Sequence, residues 1–272
     1  MLPDVNIFGK KITFYAISVL IGIFVVLAFS QIYTKKKGHD EIFVLFILLF
    51  STIGVLIGSH LLYAITMYKY IVTFFKHIKS ISSFKETLDW LITIFGGSVF
   101  YGGLLGGILV AYLYMRRKKD IDLDPYIGIC TLCIPLFHTF GRIGCFLSGC
   151  CYGIECEHGL YFNYSSAPGC AGVCRFPVQL VEAGCNLLLF IILLLLYDRK
   201  RISGKTTFKL YLISYATIRF CLEFLRGDEY RGFVGLISTS QFISLIIVIT
   251  VILLELVKKL MKKRNLLKNE PL

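Results

Sequence analysis

The sequence predicts an all-α membrane protein with about seven transmembrane helices, its N-terminus outside and its C-terminus cytoplasmic. Three observations carry that prediction. Of 272 residues, 56% are apolar and only 17% charged, whereas a soluble domain carries about 25% charged residues; mean hydropathy is +0.74. Apolar runs of roughly 18 residues or more recur along the chain, each long enough for a bilayer core of about 30 Å. Basic residues gather in every second interval between those runs, as the positive-inside rule requires. Together these exclude a disordered chain and a soluble globule. They also exclude a nucleic-acid module with a basic face, despite a net charge of +12. No internal repeat, low-complexity tract or domain boundary is visible, so residues 1–272 read as a single polytopic membrane domain.

The runs fall near 12–30, 42–67, 98–115, 125–147, 177–197, 207–226 and 238–257. The first is followed, not preceded, by its basic cluster, Lys35 to Lys37, and has no clear small-x-small cleavage site. It therefore reads as a retained span and not as a signal peptide. Arg116 to Lys119 follow the third run; Arg199, Lys200, Arg201, Lys205 and Lys209 follow the fifth. Lys258, Lys259, Lys262, Lys263, Arg264 and Lys268 follow the seventh. With seven crossings all four clusters face the cytoplasm. Segment 68–95, with Lys69, Lys76, Lys79 and Lys85, breaks the alternation. Its lysines are interleaved with aromatics, which predicts an amphipathic arm on the outer lipid interface, a solvated loop being the alternative.

Ionisable side chains inside spans cost at least about 2.5–3.5 kcal/mol each near the bilayer centre and default to functional-site candidates. His138 and Arg142 lie one helical turn apart in span four, and Glu182 follows the Phe176-Pro177-Val178-Gln179 entry to span five. Arg219, Glu223 and Arg226 share one face of span six. A structural ion-pair network and a functional site both fit this set. Two arginines beyond what one glutamate neutralises tilt it towards an anion, because guanidinium matches phosphate with paired hydrogen bonds. Gly102, Gly103, Gly106 and Gly107 at the outer start of span three fit close helix packing. A break near Gly96-Gly97 that frees backbone amides is the functional alternative. Residues 141–153 hold Gly141, Arg142, Gly144, Cys145, Ser148, Gly149, Cys150, Cys151 and Gly153, a composition suited to a helix end that opens into a loop beside a ligand.

At this segment the chain resembles the prolipoprotein diacylglyceryl transferase family, whose signature runs Gly-Arg-x-Gly-Asn-Phe-x-Asn-x-Glu-x-x-Gly. Gly141, Arg142, Gly144, Phe146 and Gly153 match it. Phe14-Tyr15-Ala16 resembles the family's aromatic-Tyr-Gly opening of span one, and Tyr101-Gly102-Gly103-Leu104 its His-Gly-Gly-Leu. Phe176 to Glu182 resembles His-Pro-Ser-Gln-Leu-Tyr-Glu; Arg219 to Arg226 resembles Arg-Phe-x-x-Glu-Phe-x-Arg. Ser240-Gln241 stands where a Gly-Gln pair opens the last span.

The resemblance implies transfer of the diacylglyceryl group of phosphatidylglycerol to the lipobox cysteine thiol of a prolipoprotein signal peptide, with glycerol phosphate leaving. It places the chain as a multi-pass protein of the bacterial cytoplasmic (inner) membrane, with no nucleic-acid partner. Arg142 and Arg219 would hold the phosphate, Glu223 would orient either Arg219 or Arg226, and Tyr15 would bind the headgroup or the acceptor peptide. Gly102, Gly103, Gly141, Gly144, Cys145, Ser148, Gly153, Gln179, Glu182 and Arg226 would line the substrate site. No cofactor is expected and no metal is needed, since the nucleophile is the substrate's own sulfur. The chain departs from the pattern at Cys145, Ser148 and Cys150, which replace Asn, Asn and Glu, and at Tyr101, which replaces His. A tyrosine of pKa about 10 is a poor base at neutral pH, leaving Tyr101 or His138 to assist deprotonation.

Cys150, Cys151, Cys156, Cys170 and Cys174 belong to or border the outer loop 148–176, where disulfides are expected. Zinc on Cys156, His158, Cys170 and Cys174 is the weaker alternative, because it lacks tight paired spacing. Cys130, Cys133, Cys185 and Cys221 read as small buried hydrophobes. Two other classes fit the composition. A membrane thiol oxidoreductase would use Cys150 with Cys151, or Cys130 with Cys133; a lipid-binding or transport protein would use the same buried charges without catalysis.

Overall fold

The computed structural model describes residues 2–7, 9–78, 83–97, 99–118, 120–165, 171–228 and 233–268. All seven apolar runs are helices. The chain divides into two compact units, residues 1–33 with 124–272, and residues 34–123.

The first unit begins with a hairpin, β1 (Val5–Ile7) and β2 (Lys10–Ile12), in antiparallel register. Helix α1 (Phe14–Lys36) belongs to this unit up to Tyr33. Its first turn is capped by the Thr13 hydroxyl, which accepts from the Ala16 N–H at 3.2 Å.

In the second unit, α2 (Glu41–Thr66) starts at Asp40, whose carboxylate accepts from the Ile42 and Phe43 amides. Two short amphipathic helices, α3 (Tyr68–His77) and α4 (Phe84–Phe95), occupy the segment expected to form the arm. Helix α5 (Phe100–Arg116) then packs against α2. Gly54 and Gly58 of α2 face Gly102 and Gly106 of α5, and a Cβ on any of the four would strike the opposite backbone. The glycine run is therefore given to helix crossing, as small residues four apart allow. The chain does break between α4 and α5, but its backbone groups there are taken up: the His60 ring meets the Phe95 and Gly97 carbonyls at 2.8 Å each, and the Val99 amide donates to Ser59.

Back in the first unit, α6 (Asp124–Ser148) meets α1 where Gly22 lies on Phe140 and Gly144 lies on Tyr15 and Ser18. The segment after α6 forms β3 (Glu155–Tyr161) and β4 (Cys174–Arg175), with Tyr152 and Phe162 as a small core beneath Phe146. Helices α7 (Val178–Asp198) and α8 (Gly204–Leu222) pack on α6. Asp124 of α6 caps α8, accepting from the Gly204 and Lys205 amides at 2.7 and 3.0 Å. A 3-10 turn, Glu223–Leu225, ends α8. A short hairpin, β5 (Phe233–Val234) and β6 (Ile237–Ser238), leads into α9 (Thr239–Lys268). Ser238 and Gln241 form a reciprocal capping box at its start.

Among the described residues, α1, α2, α6, α7 and α9 are long and apolar enough to cross a bilayer. Helix α5 has 17 residues, and α8 carries Lys205, Lys209 and Arg219.

Candidate active site

The site lies in the first unit, where α6 ends. Gly149, at φ +71°, lets the helix close in a Schellman motif: its amide donates to Phe146 at 3.1 Å, and that of Cys150 to Cys145 at 3.0 Å. Only a residue that tolerates the left-handed region closes a helix this way, and glycine does so without steric cost. The motif brings Cys150 back over Cys145, and Cys151 follows in the left-handed region at φ +54°. The Ser148 hydroxyl accepts from the Tyr15 amide at 3.0 Å, so this signature position joins α6 to α1. Gln179 is fully buried and donates to the Cys150 carbonyl at 2.7 Å. Gly153 pairs in β fashion with Arg226 and has no room for a side chain against Phe176. These residues build the loop.

Three arginines converge beside it, each with its own carboxylate. Arg142 reaches Glu182 at 3.0 Å, from α6 to α7. Arg219 pairs with Glu223 and donates to the Ser240 hydroxyl at 3.0 Å. Arg226 pairs with Asp228 through both Nε and Nη2. Glu182 lies in the field of Arg142, His138, Arg219 and Arg226 together. The excess of arginine read from the sequence is thus balanced: Glu182 takes Arg142 and Asp228 takes Arg226. What remains is unfilled hydrogen bonding. Arg142 Nε and Arg219 Nη1 are buried donors with no hydrogen-bond partner among the described residues. A buried donor left so costs about 1–3 kcal/mol, a cost that an anion accepting both would remove.

His138 sits 4.0 Å from Glu182 with its ring against Tyr215. Hydrogen bonds from Cys145 and Cys150, helped by Arg142 and Arg226, hold the Cys151 thiol below its ordinary value. Hydrogen bonding to Cys145 and Cys151 pushes Cys150 up.

A match to the family described as prolipoprotein diacylglyceryl transferase covers residues 4–257. The chain belongs to that family. It is 34% identical over 245 residues to the phosphatidylglycerol–prolipoprotein diacylglyceryl transferase of Clostridium tetani, covering 90% of this chain and 92% of the relative. It is 34% identical over 271 residues to the second such enzyme of Clostridium perfringens, covering 96% of each. The relative from Campylobacter lari is 28% identical over 248 residues, covering 89% of this chain and 87% of its own. As a family member with five helices able to span a bilayer, the chain is a multi-pass membrane protein.

Within this family framework, the structure gathers Tyr15, His138, Gly141, Arg142, Gly144, Cys145, Ser148, Gly153, Gln179, Glu182, Arg219, Glu223 and Arg226 in one unit. Tyr101, Gly102 and Gly103 lie on α5 in the other. Glu223 orients Arg219, and Arg226 takes Asp228 instead. The sequence reading does not single out Asp228 or Asn186. The first lies past the span, two residues after Arg226. The second follows Glu182 by one turn and donates to its carbonyl at 2.8 Å. The expected disulfides do not form among the described residues: nine cysteines are free thiols. Cys170 lies outside the described residues.

Proposed function

We propose that this protein transfers the diacylglyceryl group of phosphatidylglycerol to the lipobox cysteine of prolipoprotein signal peptides, at the outer face of a bacterial inner membrane. Family membership supports the reaction class, and the partnerless N–H groups of Arg142 and Arg219 support the phosphate site. The acceptor thiolate attacks the glyceryl carbon bonded to the phosphate oxygen. The carbon–oxygen bond breaks, its electron pair leaves with glycerol phosphate, and the phosphate charge grows from one negative charge towards two. Preorganised donors are worth most where charge grows. Arg142 and Arg219 supply them, while Glu182 and Glu223 fix both guanidiniums in place before the lipid arrives. Tyr15 borders the headgroup, and His138 lies one helical turn before Arg142, within the field of its charge.

The remaining features fit seven crossings with the N-terminus outside, α5 adding a short crossing of 17 residues and α8 one that carries Lys205, Lys209 and Arg219. Helices α3 and α4 then rest on the outer interface, their exposed Phe75, Phe84 and Ile92 in lipid.

The test uses full-length protein in detergent with phosphatidylglycerol and a lipobox peptide, following glycerol phosphate release. Release should require the peptide thiol and fall at least about 100-fold in Arg142→Lys, which keeps the charge but loses the fork. Release independent of the thiol, or none from folded protein, would overturn the proposal.

A further inference from the structure

Three cysteines meet where the loop leaves α6. The Schellman motif sets the side chains of its third-from-last helical residue and its second residue beyond the cap side by side, usually as an apolar contact; here those residues are Cys145 and Cys150. Cys151 completes the group, and the three sulfurs lie within 4.8 Å of one another. In a tetrahedral site with zinc–sulfur bonds of about 2.3 Å, sulfurs stand roughly 3.8 Å apart, so small side-chain adjustments close a shell around one ion. Cys145 is buried and the other two half-buried. The backbone that carries them is braced by Gln179 on the Cys150 carbonyl and by Ser148 on α1.

Building on the transferase reading, we infer that Cys145, Cys150 and Cys151 form a three-sulfur site for a soft divalent cation, zinc being the natural occupant, whose fourth position receives the acceptor thiol. Three thiolates select zinc or cadmium over magnesium or calcium. Three protein ligands with one open position is the pattern of a catalytic zinc site, and four protein ligands that of a structural one. A dication held by three thiolates is a net monoanion, and Arg142 and Arg226 lie in the field of Cys151 to offset it. A free cysteine of pKa about 8.5 is mostly protonated at neutral pH, but a thiol bound to the ion is deprotonated outright. The acceptor's proton passes to water. Its metal-held sulfur forms the bond to the glyceryl carbon, and the carbon–oxygen electron pair departs with glycerol phosphate. The resulting thioether carries no charge, binds the ion weakly and leaves. Arg142 thus serves both halves of the step, holding the phosphate beside the ion that holds the sulfur.

X-ray absorption at the zinc edge tests this on the reduced full chain in detergent, loaded with one equivalent of zinc. The expected spectrum shows three sulfur neighbours at about 2.3 Å, rising to four when lipobox peptide is added. Cys150→Ser and Cys151→Ser should each weaken zinc binding at least tenfold, while Cys221→Ser on exposed α8 leaves it unchanged. Fewer than three sulfur neighbours, equal binding by the triad variants, or a Cys145–Cys150 disulfide in protein isolated without reductant would overturn the site. Full glycerol phosphate release after a chelator has stripped the protein would remove the metal's role and leave the transferase standing. A three-sulfur shell without any release would keep the site and remove the transferase.

Discussion

Glu182→Gln isolates the electrostatic logic of the site because it keeps the side chain's shape and removes its charge. Glu182 is 1% exposed and meets Arg142 at 3.0 Å. Unit charges about 4 Å apart attract by about 4 kcal/mol at an effective dielectric constant near 20, and breaking a buried pair costs about 3–5 kcal/mol. The amide still offers Arg142 an oxygen, returning about 1 kcal/mol. The variant should therefore lose about 2–4 kcal/mol, read as denaturant unfolding of the detergent-solubilised protein. Phosphatidylglycerol should restore more stability to Glu182→Gln than to the parent, since its phosphate replaces the missing charge beside Arg142. Equal stabilisation of the two proteins by lipid would refute the claim that Arg142 faces the headgroup. Unchanged stability without lipid would refute the ion pair's contribution.

Four further predictions use other parts of the molecule. Gly58→Ala should destabilise the second unit by about 1–3 kcal/mol through overpacking against α5, seen as an earlier fluorescence transition of Trp90, the chain's single tryptophan. Gly184→Ala on α7 meets nothing within 4 Å and should be neutral or stabilising by up to about 1 kcal/mol in the same unfolding measurement. Asp124→Ala removes the acceptor of two N-terminal amides of α8 and should cost about 1–2 kcal/mol, with faster hydrogen exchange at the Gly204 and Lys205 amides. Ser240→Ala removes one acceptor from Arg219 and should lower kcat/KM about 10- to 150-fold, as loss of a charged hydrogen bond worth about 1.5–3 kcal/mol implies.

The helices were legible because lipid imposes a length and an apolar period that no packing detail overrides. The arginine partners were only half legible. Arg219 and Glu223 are one turn apart on a helix, so spacing alone joins them, whereas Arg142 finds Glu182 on a neighbouring helix 40 positions on. Asp228 lies beyond the span and so escaped a search for charges inside apolar runs. The thiol cluster was visible as residues but not as geometry. Spacing suggested outer cysteines stapling a loop, but the helix end folds Cys150 onto Cys145 through backbone hydrogen bonds that depend on Gly149. Likewise Gly102 and Gly106 were readable as a packing stripe, but their counterpart at Gly54 and Gly58 emerges only when α2 and α5 are paired.

On the proposed reading, pairing Arg142, Arg219 and Arg226 with carboxylates resolves a conflict that a phosphate site in a membrane meets. Bare guanidiniums buried from water would destabilise the empty protein by several kcal/mol per ion, and removing the charge would leave nothing to bind phosphate. A carboxylate on one edge of each guanidinium keeps the empty site neutral, while Arg142 Nε and Arg219 Nη1 remain as donors. The carboxylates also weaken the net attraction for the phosphodiester, so ground-state binding stays modest. As the phosphate charge doubles, the fixed N–H groups need not reorganise, and the stabilisation falls on the transition state, where it raises the rate instead of only tightening the complex.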